Sequence, residues 1–306
     1  MTLKEVCAAI TPADQAAMAR AQEKWSRVGK PLGSLGLLED MVVRMAGIFG
    51  TEDFSIAKKA VVPFCADNGV VAEGVTQTGQ EVTAAVAGNM ARRASSVCRM
   101  AKVAGAEVYP VDIGMAYEVD HPGIAQKCIR RGGTGNFVKE LAMTRAEAEE
   151  AILVGVETAQ LLYGRGVKLL AMGEMGIGNT TTSAAVLSVL LERSPAEMTG
   201  RGAGLSDEGL ARKVKAIETA LKRHQPDKSD TLDVLSKVGG FDLAGLCGLV
   251  LGAAYCRVPV LLDGLISCAA ALLAVMPILD MAMVVYNGDT FDDLQIEAYT
   301  PQSEDF

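Results

Sequence analysis

The sequence predicts an α/β protein: a mainly parallel sheet with helices on both faces, Rossmann-like, preceded by a small helical N-terminal part. Three observations carry this. Short apolar runs alternate with longer helical stretches, the pattern of parallel strands joined by crossover helices. Four of those runs end in Asp or Glu beside Gly. Half of the 306 residues are hydrophobic but only 5% are aromatic, so a large core is expected to consist of Ala, Val, Leu and Met.

Residues 1–50 are expected to be helical, with C-terminal elements as candidates to join them in a small subdomain; residues 51–285 form the α/β domain and 286–306 a tail. AVVPFCAD (Ala60 to Asp67) is the first strand, followed by a helix over Glu81 to Ala104. EVYPVDIG (Glu107 to Gly114) is the second strand. The glycine cluster RGGTGNF (Arg131 to Phe137) then leads to a helix over Thr144 to Arg165, with Thr144 as its N-cap. VKLLAMGE (Val167 to Glu174) is the third strand and feeds a helix over Thr181 to Arg193. GRGAGLSDEGLARK (Gly200 to Lys213) is a glycine loop entering a helix over Gly209 to His224. A helix over Leu243 to Tyr255, the strand VPVLLDG (Val258 to Gly264) and a helix over Ser267 to Ala274 complete the order.

The last three elements lie in the most apolar segment, Gly245 to Val285. Arg257, Pro259, Asp263 and Pro277 interrupt it, so no run reaches the length that spans a bilayer, and a buried core is expected instead of a membrane pair. The net charge of −8, with no basic stripe, argues against a nucleic-acid partner. The opening MTLKEVCAAITPAD turns polar too early for a secretory signal, and a cytoplasmic location is expected. Seven scattered cysteines without a C-x-x-C pair suit free thiols in a reducing compartment. With only His121 and His224 as histidines, neither a metal centre nor a His-based triad is expected, and no cofactor is implied.

The chemistry concentrates in GEMGIGNTTT (Gly173 to Thr182), a strand-to-helix turn. Such turns lie at the carboxyl ends of strands, where free N–H groups of the next helix hold anions and glycines admit a ligand to the backbone. The spacing G-x-x-G-x-G matches neither the dinucleotide fingerprint nor a P-loop. Glu174 would repel a bare phosphate, so two subsites are expected. Phosphate sits on Asn179, Thr180 and the helix start, and the carboxylate faces a cationic part of the ligand. The plainer alternative is a helix entry whose glycines only shape the turn. The acidic strand ends Asp67, Asp112, Glu174 and Asp263 would share one edge, although each taken singly is also an ordinary cap. Lys213, one turn into its helix, is placed to neutralise a phosphate on a neighbouring glycine loop, or else is a solvated surface lysine.

Six segments together carry a resemblance: KPLGSLGLLE (Lys30 to Glu39), CADNGVVAEGV (Cys65 to Val75), GEMGIGNTTTSAA (Gly173 to Ala185), GRGAGL (Gly200 to Leu205), DVLSKVGGFDLAGLCG (Asp233 to Gly248) and PVLLDGLISCAA (Pro259 to Ala270). In order and content they resemble the nicotinate-nucleotide:dimethylbenzimidazole phosphoribosyltransferase (CobT) family of cobamide lower-ligand assembly. The match runs from about residue 22 to about residue 283. The resemblance implies transfer of phosphoribosyl from nicotinate mononucleotide to an aromatic base, with release of nicotinate and inversion to the α configuration. It assigns Glu174 as the carboxylate that stabilises the oxocarbenium-like ribose. It places the donor phosphate on the backbone of Gly176, Gly178, Asn179 and Thr180 and of Gly202, Ala203 and Gly204, with Lys213 as the phosphate lysine. Asp67, Asn68, Thr78, Val86 and Asp263 would complete the substrate sites.

The chain departs from the family pattern in two places. Asp67-Asn68-Gly69 stands where many members read Asp-His-Gly. Thr78 and Val86 align with more polar residues, which either suits a phenol such as p-cresol over dimethylbenzimidazole or is a neutral packing change. At the C-terminus a nicotinate-holding loop is missing, and Asn287 falls where the family carries its general-base Glu. An amide cannot accept a proton at any useful pH. Asp289, Asp292 and Asp293 are nearby carboxylates with a different offset. The family is dimeric and includes a two-subunit, phenol-activating version. Two readings follow: an active transferase within a dimer, or a degenerate support subunit of a heterodimer with an active paralogue. A generic nucleotide-binding α/β protein stands as the reading outside the family.

Overall fold

The computed structural model describes residues 1–275. One sheet contains β1 (Lys59–Ala66), β2 (Ala106–Val108), β3 (Val111–Gly114), β4 (Ala125–Gln126), β5 (Leu169–Met175) and β6 (Val260–Leu261). Its order is β4-β3-β1-β5-β6, with β2 also paired to β1. All pairings among the described residues are parallel. The helices are α1 (Leu3–Ala9), α2 (Gln15–Ser26), α3 (Leu37–Phe49), α4 (Glu81–Ala91), α5 (Ser96–Ala104), α6 (Arg145–Gly164), α7 (Asn179–Leu190), α8 (Pro195–Met198), α9 (Asp207–His224), α10 (Thr231–Val238), α11 (Phe241–Tyr255) and α12 (Leu265–Val275).

The central strand shows why helices occupy both faces. Successive side chains of a strand point to opposite sides. Ala60, Val62, Phe64 and Ala66 of β1 enter the large core with α6, α7 and α11. Val61 and Cys65 enter a smaller core with α4 and α5. A strand buried on both faces reads as the unbroken apolar run VVPFCA, without polar alternation.

Helix α11 is apolar all round because it is surrounded: every residue from Phe241 to Ala254 is buried. It crosses α6 at backbone contact. A Cβ on Gly248 would lie 1.8 Å from the Ile152 carbonyl oxygen, and one on Gly155 would lie 2.1 Å from the Gly245 carbonyl oxygen. No side-chain rearrangement can relieve a clash with backbone. Gly248→Ala is therefore expected to lower unfolding free energy by about 3 kcal/mol or more, read from the midpoint of urea unfolding at unchanged slope.

Two expected elements are divided. The helix over Glu81 to Ala104 is α4 and α5, separated where Arg93 takes a left-handed φ of 58°. The strand over Glu107 to Gly114 is β2 and β3, which pair in turn with the lower and upper halves of β1. Pro110 lies between them and has no N–H for a ladder. Helix α10, not anticipated as an element, is capped by Asp230, whose carboxylate accepts from the Leu232 and Asp233 amides.

The helical N-terminal part is present. Helices α2 and α3 pack on each other through Ala21, Val43 and Ala46, with Met18, Trp25 and Phe54 against them. Helix α1 packs on α11 and α6. Arg257, just after α11, ties this part to the body: its guanidinium donates to Ile48 O and Gly47 O, both at 2.8 Å, and to Thr11 Oγ1 at 2.7 Å. Carbonyls at a helix C-terminus are a favourable place for a cation. No helix among the described residues is long and apolar enough to cross a membrane. The tail over 286–306, with Asn287, Asp289, Asp292 and Asp293, lies outside the described residues.

Candidate functional site

The strand order locates the cleft. From β1 the chain goes to β3 on one side, and later returns to β5 on the other. The connections leaving the carboxyl ends of β1 and β5 therefore run to opposite faces, toward α4 and α7, and leave a crevice between them. Register puts Glu174 opposite Phe64 and Asp112 opposite Cys65, so the acidic strand ends share this edge. The buried Cys65 thiol is pushed up by burial first, then by Asp112, Asp242, Glu174 and Asp67, which shows how near these carboxylates are.

The turn after β5 approaches the end of β1 so closely that only glycine fits. A Cβ on Gly176 would lie 2.2 Å from Ala66 O, and Gly178 has φ 94° with Asn68 Cβ 3.1 Å from its Cβ position. Between them the Ile177 peptide is held at both ends. Its N–H donates to Thr83 Oγ1 at 3.2 Å, and its carbonyl accepts from Asn68 Nδ2 at 3.3 Å. Thr83 passes its own hydrogen to Asp67 Oδ1 at 2.6 Å, and Ala116 N donates to Asp67 Oδ2 at 2.8 Å. Asp67, fully buried, thus has both oxygens engaged inside the protein. Burial pushes its carboxyl up, against the lowering effect of the Ala116 amide and the Thr83 hydroxyl.

The two glycine loops meet at Lys213. Its side chain is 1% exposed, and Nζ donates to Thr180 Oγ1 at 2.8 Å and to Gly200 O at 3.1 Å, both neutral. Burial lowers its pKa from 10.5 to about 8. Gly202 (φ 56°) lies against the same group: a Cβ there would be 3.0 Å from Thr180 Oγ1 and 3.6 Å from Lys213 Nζ. Beside it, Gly178 precedes α7 and gives no side-chain cap, while the Asn179 and Thr181 amides bond back to Gly176 O and Gly178 O. A buried cation on neutral partners, next to an uncapped helix start, attracts an anion.

Glu174 occupies the neighbouring position on β5 and accepts a hydrogen bond from Asn179 Nδ2. Asn179, nominated for the phosphate, thus directs its side-chain amide at the carboxylate. Burial raises the Glu174 carboxyl, Asn179 opposes this, and Asp263 raises it further. Asp263 itself is exposed at the end of β6, where its amide donates to Ser267 Oγ at 2.8 Å. Gln77 Nε2 donates to Gly204 O, joining the loop after β1 to the second glycine loop; Ala203 next to it is exposed. Thr78 is exposed, and its carbonyl accepts from Thr76 Oγ1 at 2.9 Å. Val86 is half-buried against the core under α4 and α5.

Several residues of this region carried no role in the sequence reading. Arg131 donates to Asp112 Oδ2 at 2.7 Å, and Thr134 N donates to Asp67 O at 3.0 Å, so RGGTGNF braces the crevice floor. Asp242, second residue of α11, is fully buried with Oδ2 unpartnered, and its carboxyl is pushed up to about 7 by burial first and Glu174 next. The available signal was an acidic residue two positions after Gly239-Gly240 at a helix entry.

Comparisons with known proteins agree with this arrangement. A family model described as Phosphoribosyltransferase (DBI_PRT) matches residues 10–290. A nicotinate-nucleotide–dimethylbenzimidazole phosphoribosyltransferase of Acetivibrio thermocellus is 48% identical over 258 residues, covering 84% of this chain and 73% of the relative. Its namesake from Clostridium acetobutylicum is 44% identical over 275 residues, covering 90% and 78%. The crystal structure of CobT from Thermus thermophilus superposes with a TM-score of 0.82 at 39% identity, covering 86% of this chain and 79% of that one. The fold, the length of the matches and their identity place this chain in the phosphoribosyltransferase family that those proteins represent.

Proposed function

We propose that the chain transfers a phosphoribosyl group from nicotinate mononucleotide to an aromatic cobamide lower-ligand base, giving an α-riboside phosphate, in the cytoplasm and within a dimer. The observation that carries this reading is the convergence of Thr180, Gly202 and buried Lys213 beside Glu174. The first three suit the ribose 5-phosphate. Glu174 suits the ribose ring. In the donor the pyridinium nitrogen is already positive, so the C1′–N bond breaks with its electron pair going to nicotinate, which leaves neutral at that nitrogen. Positive charge then spreads over C1′ and the ring oxygen, and a fixed carboxylate stabilises it. The base attacks C1′ from the opposite side and loses one proton to solvent or to a carboxylate. Asp67 and Asn68 act by holding the Ile177 peptide, and Thr78 with Val86 borders the acceptor side.

A second reading, a support subunit in a heterodimer with a paralogue, is favoured by Asn287 at the family's general-base position. Nicotinate release distinguishes the two. The chain is assayed alone and with a paralogue, using dimethylbenzimidazole and p-cresol as acceptors. Turnover by the lone chain that Glu174→Gln abolishes supports the first reading. Turnover only with the paralogue, insensitive to Glu174→Gln, supports the second.

A further inference from the structure

Among the described residues four buried side-chain oxygens lack a partner, those of Thr181, Ser183, Asp242 and Asn68, and the side chains of the last two meet at Gly240. Asp242 Oδ2 and Asn68 Oδ1 have no hydrogen-bond partner, and both side chains are fully buried. They flank the same two glycines. A Cβ on Gly240 would lie 2.3 Å from Asp242 Oδ1 and 2.8 Å from Asn68 Oδ1, and one on Gly176 would lie 2.7 Å from Asp242 Oδ2 and 3.3 Å from Asn68 Nδ2. The Asn68 orientation is set by its other end, since Nδ2 donates to Ile177 O at 3.3 Å. Asp242 Oδ1 accepts the Leu243 amide at 2.9 Å, which leaves Oδ2 as the oxygen with nothing to do. Two unpartnered acceptors cannot satisfy each other, and each left so is costly. A hydrogen kept on the Asp242 carboxyl supplies the donor that both lack.

We propose that Asp242 is a positioning residue that keeps its carboxyl proton and donates it to Asn68 Oδ1, thereby fixing the amide that holds Ile177 in the turn carrying Glu174. The chain of contacts runs from α11 through the end of β1 to the β5 turn. The groups acting on Asp242 agree with a neutral acid. Glu174 from β5 and Asp67 from the end of β1 both raise it, and the neighbouring Cys65 is a thiol whose own ionisation is pushed up. The folded-state value of about 7 lies above the ordinary carboxyl value of 3.8. The proton is therefore held in the folded chain and lost on unfolding between those values. Its contribution to stability is complete below 3.8 and declines as pH rises toward 7.

The kinetic part of the test rests on the phosphoribosyl-transfer reading, and the stability part does not. Asp242→Asn replaces the acidic O–H by an amide N–H that cannot ionise. Its melting temperature relative to wild type is expected to climb between pH 5 and pH 8. Asp242→Ala, which leaves Asn68 unsupported, is expected to lower kcat by about 100-fold with little change in donor affinity, the signature of a misplaced turn. Asp242→Asn is expected to rescue most of that loss. If Asp242→Asn does not fold, Asn68→Ala removes the acceptor instead and is expected to lower kcat about as much as Asp242→Ala, with the double variant no worse than either alone; fully additive losses would overturn the proposal. A melting-temperature difference that stays constant with pH, or an Asp242→Asn enzyme as impaired as Asp242→Ala, would overturn the proposal; the second result would make Asp242 a proton acceptor. Absence of turnover in every variant would count against the transferase reading alone, since the melting curves would still decide the role of Asp242.

Discussion

Replacing Glu174 with glutamine is expected to lower kcat by about 100- to 1,000-fold while donor affinity changes little. Glutamine keeps the length of the side chain and keeps an oxygen for Asn179 Nδ2, so the turn is not disturbed. What disappears is the charge. That charge matters most when the ribose becomes cationic, because ground-state nicotinate mononucleotide carries its positive charge on the pyridinium and not on the sugar. An interaction that strengthens only at the transition state appears in kcat and not in binding. Partial burial of Glu174 makes the interaction stronger than it would be in water. Single-turnover nicotinate release, compared with the dissociation constant of the donor, separates the two quantities.

Replacing Lys213 with methionine is expected to have two effects of opposite sign. Donor affinity falls by about 100-fold or more, the usual result of removing one partner of a buried charge pair. The unliganded protein becomes more stable. Burial holds the Lys213 pKa at about 8 instead of 10.5, a penalty on the charged form equivalent to about 3 kcal/mol, and methionine fills similar space without it. The sign of the pH dependence follows. The unfolded chain retains the lysine proton up to 10.5 while the folded chain releases it at about 8, so wild-type stability rises with pH between those values. Below 8 the penalty is constant. In Lys213→Met the rise vanishes, and thermal melting at pH 7 and at pH 10 shows both changes. The free enzyme should also lose kcat/KM above about pH 8, as the cation proposed to meet the phosphate titrates.

Much of this architecture was legible from local signals. Unbroken apolar runs such as Val61 to Ala66 indicate strands buried on two faces, and β1 is that strand. The glycines at 176 and 178 indicate a tight turn: Ala66 O requires the first, and a left-handed φ of 94° requires the second. Lys213 was legible as a charge one turn into a helix; its burial was not, since that depends on α7 and the second glycine loop closing over it. The interruptions at Arg93 and Pro110 were missed because the flanking residues on both sides keep their periodicity. Asp242 was missed for a deeper reason. Its state follows from three separate chain segments delivering carboxylates to one buried point, which no spacing within α11 records. Asn179 illustrates the same limit: its residue type suits a phosphate as well as a carboxylate, and only the turn geometry directs it at Glu174.

Thr180, Gly202 and Lys213 are proposed as the seat of a ribose 5-phosphate. Calorimetric titration of the chain with nicotinate mononucleotide and with nicotinate riboside, which differs only by the phosphate, tests it most directly. The mononucleotide is expected to bind at least about 100-fold more tightly, and this preference is expected to disappear in Lys213→Met. Equal affinity for the two ligands, or a preference that survives the substitution, would contradict it.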